Sequence, residues 1–136
     1  MIPRILRFVR MMSAEPILIV DDNAANLKLA RILLTAEGFD VRTASDAEEA
    51  LKVLGEFAPR LILMDVQLPG MDGLELTRLL KADPATRAIR IVGLTAYAMK
   101  GDPERILAAG CDGYISKPID TRRLADQVRD FLAVPE

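Results

Sequence analysis

Short apolar runs alternating with longer segments of helical period constrain this chain more than any other feature it has. Ile17–Val20, Asp40–Thr43, Arg60–Met64, Ile89–Leu94 and Gly113–Ser116 read as strands, and the third is apolar almost throughout. A strand covered on both faces loses its in–out alternation, so Leu61-Ile62-Leu63-Met64 predicts a parallel sheet with helices on both sides. The intervening segments carry apolar residues at helical spacing, such as Leu27, Ala30, Leu33 and Leu34 within Asn23–Glu37. Strands and helices alternating through short loops predict an α/β fold, a doubly wound five-stranded parallel sheet with five helices.

Helix ends are marked along the chain. Gly38 sits where a left-handed cap would close the first helix. Ser45-Asp46-Ala47-Glu48 reads as a capping box, which starts the second helix at Asp46 and runs it to about Phe57, before Pro59. Asp72 caps Gly73–Ala82, with Glu75 at the reciprocal position. Asp102-Pro103 reads as the N-cap and first position of a fourth helix ended by Gly110, and Asp120 as the cap of a last helix over Thr121–Leu132. No repeat or linker divides residues 15–133, which are expected to form one domain. Residues 1–14 stand apart, with Arg4, Arg7 and Arg10 at i, i+3 spacing among Ile2, Ile5, Leu6 and Val9. Three readings of this basic N-terminal extension stay open: a mis-assigned start ahead of Met11 or Met12, a flexible or docking tail, or a short helix on a membrane surface. The arginines interrupt the apolar stretch that a secretory signal needs.

Four of the strands end on polar groups. ILIV leads into Asp21-Asp22, LILM into Asp65, IVGL into Thr95, and GYIS into Lys117-Pro118. Parallel strands end on the same side, so these groups converge on one rim. Carboxylates, a hydroxyl and an ammonium together are what a Mg²⁺-assisted phosphoryl site requires. Asp21 and Asp22 repel one another unless a hard divalent cation joins them; the alternative is a solvated acidic helix start, favourable to the helix dipole. Asp65 reads either as a nucleophile able to form an acyl phosphate or as a cap for the loop holding Pro69-Gly70. Thr95, followed by small Ala96, offers a hydroxyl and an approachable N–H to phosphoryl oxygens, although strand-end threonines are common without such a role. Lys117 supplies a mobile point charge, and the bond to Pro118 is open to either isomer.

Composition narrows the chemistry further. At 136 residues, 51% hydrophobic and 28% charged, the chain has material for one globular core. A formal net charge of -2 gives no support for a nucleic-acid partner. With no histidine, the chain carries no phosphohistidine or imidazole base of its own, and only oxygen-based metal sites are credible. Its one cysteine, Cys111, cannot form an internal disulfide, so a cytoplasmic location and a buried apolar role for the thiol are expected, with no stable membrane insertion.

Asp21-Asp22, LILMD ending at Asp65, LTA around Thr95 and SKP at Lys117-Pro118 resemble the receiver domains of two-component response regulators, across about residues 15–133. LTAYAMKGD followed by AAGCDGYISKPI is similar, more narrowly, to single-domain regulators of the DivK type and to receivers attached to hybrid sensor kinases. The resemblance implies a CheY/flavodoxin-like sheet of order 2-1-3-4-5, with Asp65 as phosphoacceptor. It implies Mg²⁺ held directly by Asp22 and Asp65, by Asp21 through water, and by the backbone carbonyl of Gln67. It further implies phosphoryl contacts from Thr95, Ala96 and Lys117, and Thr95 and Tyr114 as the switch pair. Pro103 departs from the acidic residue the pattern expects, which bears on where helix four begins and not on the phosphorylation site.

The cycle expected from these residues begins with a partner, a sensor histidine kinase or a histidine phosphotransfer protein, giving its phosphoryl group to Asp65. Thr95 and Lys117 then move toward the phosphoryl group, Tyr114 takes the vacated space, and the altered surface binds a downstream effector protein. With only a few residues after the last helix, the output is expected to be protein binding, not DNA contact, and no separate substrate is turned over. A phosphorelay shuttle between a kinase and a phosphotransfer protein fits the same residues. A phosphohydrolase of haloacid-dehalogenase type needs an acid/base aspartate two residues after its nucleophile, where this chain has Gln67.

Overall fold

A computed structural model describes residues 14–98 and 100–133. The basic extension predicted for residues 1–14 therefore lies outside the described residues, apart from Ala14. The strands are β1 (Pro16–Val20), β2 (Asp40–Ala44), β3 (Leu61–Asp65), β4 (Arg90–Thr95) and β5 (Gly113–Ser116). The helices are α1 (Ala24–Ala36), α2 (Ala47–Leu54), α3 (Gly73–Ala82), α4 (Asp102–Ala108) and α5 (Leu124–Ala133). All strand pairs are parallel, in the order β2-β1-β3-β4-β5, as the sequence pattern and the resemblance together predict.

Period-two side-chain alternation splits the core into two compartments. Leu18, Ile62 and Ile91 point to one face, where Ala50 of α2, Leu76 and Leu80 of α3 and Ile106 of α4 cover them. Ile19, Leu63 and Val92 point to the other, covered by Ala30 and Leu34 of α1 and Leu124 and Val128 of α5. Every residue of β3 is buried, which is why its sequence lacks alternation. Each such Leu or Ile contributes roughly 1.5–3 kcal/mol of transfer free energy, so the central strand is a major anchor of the sheet.

The local stops fall close to where sequence places them, with instructive shifts. α1 ends in a Schellman motif: Gly38 has φ of 91°, its N–H reaches the Thr35 carbonyl, and the Phe39 N–H reaches that of Leu34. Asp72 caps α3 as predicted, accepting from the N–H groups of Leu74 and Glu75, each at 2.9 Å. At α2 the cap is Asp46 and not Ser45: the Asp46 carboxylate accepts the Glu49 N–H at 2.8 Å, while the Ser45 hydroxyl donates to the Glu49 carboxylate at 2.9 Å. The N-cap is thus displaced by one residue, because the Asp46 carboxylate satisfies the N3 donor, and the Glu49 side chain turns to the Ser45 hydroxyl. α2 stops at Leu54, short of the predicted Phe57, with poor helix former Gly55 at its end; Phe57 instead packs against the core, under the Arg42 guanidinium. α5 starts at Leu124; Asp120 forms a preceding turn, its carboxylate accepting from the Arg122 N–H and its carbonyl from Arg123 and Leu124. At α4 the N-cap is Gly101, at φ of 88° and without a side-chain cap bond, and Asp102 is already inside the helix. Among the described residues no helix is long and apolar enough to cross a membrane.

Candidate functional site

Asp65 and Thr95 are not beyond their strands but on the last rungs of the ladder, Asp65 opposite Leu94 and Thr95 opposite Ser116. Neighbouring backbone bonds extend that framework past the strand ends. The Asp21 N–H donates to the Ala44 carbonyl at 3.1 Å, Val66 N–H to Leu94 at 3.1 Å, and Lys117 N–H to Thr95 at 2.7 Å. Asp21, Asp65, Thr95 and Lys117 therefore hang from backbone held by sheet-like bonds, whereas Asp22 lies in the bend that follows β1.

The carboxylates of Asp21, Asp22 and Asp65 each offer an oxygen within 4.8 Å of the others. Asp21 and Asp65 are buried, and Asp22 is exposed. Asp65 Oδ1 accepts the Gln67 N–H at 2.9 Å, and Oδ2 accepts the Lys117 ammonium at 3.0 Å. Lys117 Nζ also lies 3.5 Å from Asp21 Oδ2, an ion-pair distance, yet that buried oxygen has no hydrogen-bond partner. At 3.5 Å the contact is at the outer edge of useful hydrogen-bond geometry, so it is an ion pair that leaves the Asp21 oxygen unsatisfied. Burial pushes the Asp65 carboxyl above its ordinary range, helped by the negative Asp21; the Gln67 N–H and the Lys117 ammonium oppose the rise. One cation facing several converging carboxylates leaves a site short of positive charge. Hard oxygen donors with one acceptor unsatisfied suit a hard divalent ion such as Mg²⁺.

Thr95 is buried at the same edge of the sheet, but its hydroxyl faces another partner. It donates to Asp102 Oδ2 at 2.5 Å and accepts the Tyr97 N–H at 2.9 Å. Ala96 follows it, exposed. Tyr114 pairs in register with Gly93 and so faces the α4 side of the sheet, and the residue is 38% exposed. The Lys117-Pro118 bond is cis, the isomer that sequence left open. Cys111 is buried, as expected; burial pushes its thiol up, and the thiol approaches the Thr77 hydroxyl at 3.8 Å.

Two residues of the site escaped the sequence reading. Asp102, read as a helix cap, makes no cap bond and reaches back to Thr95 and, at 3.0 Å, to Arg105. A local capping signal cannot reveal that contact with a neighbouring strand. Gly73 opens α3 directly behind Asp65: a Cβ there would fall on the Asp65 carbonyl oxygen. Its place right after a good N-cap gave no hint of that approach.

The chain matches the family model described as the response regulator receiver domain over residues 17–129. It is 46% identical over 118 residues to the polar-differentiation response regulator DivK of Brucella anthropi, covering 87% of this chain and 96% of that protein. The chemotaxis response regulator CheY4 of Vibrio cholerae superposes with a TM-score of 0.82 at 24% identity, covering 88% of this chain and 99% of that one, a likeness of fold alone. The receiver domain of a Pseudomonas aeruginosa PAO1 sensor histidine kinase, solved with a magnesium ion coordinated in its active-site cleft, superposes with a TM-score of 0.81 at 31% identity. That match covers 90% of this chain and 100% of the other.

Proposed function

This chain belongs to the response regulator receiver family of two-component systems, and we propose that it accepts a phosphoryl group on Asp65 from a partner's phosphohistidine and signals by changing which proteins it binds. The observation that carries this reading is the convergence of Asp21, Asp22 and Asp65 within 4.8 Å, with the Lys117 ammonium 3.0 Å from Asp65.

Asp22 and Asp65, the Gln67 carbonyl, and Asp21 through water would hold Mg²⁺. The ion, when bound, supplies positive charge to the oxygens of the group in transfer. Asp65 Oδ2 attacks phosphorus, the P–N bond to the donor imidazole breaks, and the imidazole leaves with the bonding pair. Burial helps, because a carboxylate stripped of water is a stronger nucleophile and its product is shielded from hydrolysis. Lys117, already paired with Asp65, shifts to the new phosphoryl oxygens, where its charge is better matched. Thr95 and the Ala96 N–H donate to the remaining oxygens. Inward movement of Thr95 opens space toward which Tyr114, half-exposed on the α4 side, can turn. The surface built from β4, α4 and β5 is thereby the output, read by an effector protein. The donor is a sensor histidine kinase or a histidine phosphotransfer protein, and the setting is the cytoplasm. The protein promotes its own modification and turns over no separate substrate.

Acetyl phosphate with Mg²⁺ should add one phosphoryl group to the wild type by intact mass, and none to Asp65→Asn. A wild type that stays unmodified, or an Asp65→Asn protein modified equally, defeats the reading.

A further inference from the structure

Asp102 is a buried carboxylate with an unusual partner. It lies in the first turn of α4, 5% exposed, and spends one oxygen on the Thr95 hydroxyl and the other on Arg105. An acidic residue at a helix start benefits from the dipole, but that benefit needs neither burial nor contact with a strand. Nor does it cap α4, whose N-cap is Gly101.

Counting protons decides what the contact means. A threonine hydroxyl carries a single hydrogen. Here that hydrogen goes to Asp102, while the hydroxyl's acceptor side takes the Tyr97 N–H. Thr95 therefore cannot donate to a phosphoryl oxygen on Asp65 without giving up Asp102. We propose that Asp102 is a positioning residue that latches the Thr95 hydroxyl in the resting protein, so that Asp102 and the phosphoryl group compete for one proton. The inference rests on Asp65 being the phosphoacceptor. Its consequence is a direct link from β4 to α4. Release of Thr95 leaves a buried carboxylate with Arg105 alone, and an under-satisfied buried charge obliges the first turn of α4 to adjust. Motion would pass to that helix through a lost hydrogen bond as well as through the space left for Tyr114.

The test uses beryllofluoride with Mg²⁺, a mimic of the phosphoryl group, titrated into the wild type, Asp102→Ala and Asp102→Asn, each with Thr95 and with Thr95→Ala. Thermal melts identify which variants are folded. Removing the latch should tighten binding by on the order of fivefold or more, the lower end of ordinary coupling between sites. Asp102→Asn should show a smaller gain, because its amide oxygen still accepts from Thr95 but more weakly. The gain should vanish in the Thr95→Ala background, which a merely structural role for Asp102 would not require. Unchanged or weaker binding in the folded Asp102 variants, or an equal gain without the threonine hydroxyl, overturns the latch. If Asp102→Ala does not fold, the near-isosteric Asp102→Asn decides alone. A wild type that binds the mimic while the Asp102 variants do not differ from it removes only the latch; a wild type that neither binds it nor is modified at Asp65 removes the receiver reading and the latch together.

Discussion

Lys117 places one ammonium 3.0 Å from Asp65 and 3.5 Å from Asp21, so in the absence of a metal it is the local counterweight to the acidic cluster. It would also compete with a divalent cation for the same oxygens. Its side chain is largely but not wholly buried, at 19% exposure, which discounts the bare Coulomb attraction considerably. Replacing it with methionine keeps the apolar stem and removes the charge. Lys117→Met should bind Mg²⁺ about tenfold tighter in a fluorescence or calorimetric titration, a modest fraction of the Coulomb energy for such a pair. The same variant should accept a phosphoryl group poorly, since nothing then pairs with the new oxygens. Weaker Mg²⁺ binding would show that Lys117 organises the carboxylates more than it competes for them. At this scale the sequence was a good guide to which groups meet, because strand ends of a parallel sheet share a rim. It was a poor guide to how each group is occupied. The sequence leads to Thr95 moving toward a phosphoryl group but says nothing of what holds it beforehand; its hydroxyl is held by Asp102, a contact between residues seven apart that no local pattern encodes.

Among the elements, α3 is the one whose placement bears most directly on Asp65. Gly73 lets its first turn approach the Asp65 backbone, and the obstructing atom for any larger residue is a carbonyl oxygen of a central strand, which cannot swing aside. Two effects of opposite sign meet in Gly73→Ala. Helix propensity favours alanine by about 1 kcal/mol. Overpacking against fixed backbone costs typically 1–3 kcal/mol, and here it should win. The expected outcome is a net loss of about 1 kcal/mol in urea melts, together with slower phosphorylation as Asp65 is displaced. A stabilised, fully active variant would mean that α3 can slide without disturbing the site. The elements themselves were legible from apolar runs and cap residues, most clearly β3 and the Asp72 cap. Starts and stops slipped where several polar residues competed for one role, as Ser45 and Asp46 do at α2. The sequence places the start of the last helix too early because Asp120 closes a turn before it.

For the molecule as a whole, the sheet separates two hydrophobic compartments that share little besides strand backbone. Ile62 and Ile91 are register partners on the same face, whereas Ile19 lies on the opposite one, on the strand next to Ile62. Trimming each to valine should cost about 0.5–1.5 kcal/mol. The Ile19/Ile62 pair should then sum to within about 0.5 kcal/mol despite its closeness, while Ile62/Ile91 should not, because those two side chains share neighbours. Chemical denaturation of the single and double variants measures both, and strong coupling across the sheet would contradict the division. The overall architecture could be inferred in advance because alternation and its absence report burial directly, and with the order β2-β1-β3-β4-β5 right-handed crossovers put α1 on one face and α2, α3 and α4 on the other; the side taken by α5, which returns to no strand, is fixed by no such rule. An evolutionary consequence follows from that partition. A lineage could rework the surface over α1 and α5 and leave the α4 flank undisturbed. Duplicated copies could in this way part company on one side first, keeping an inherited conversation on the other.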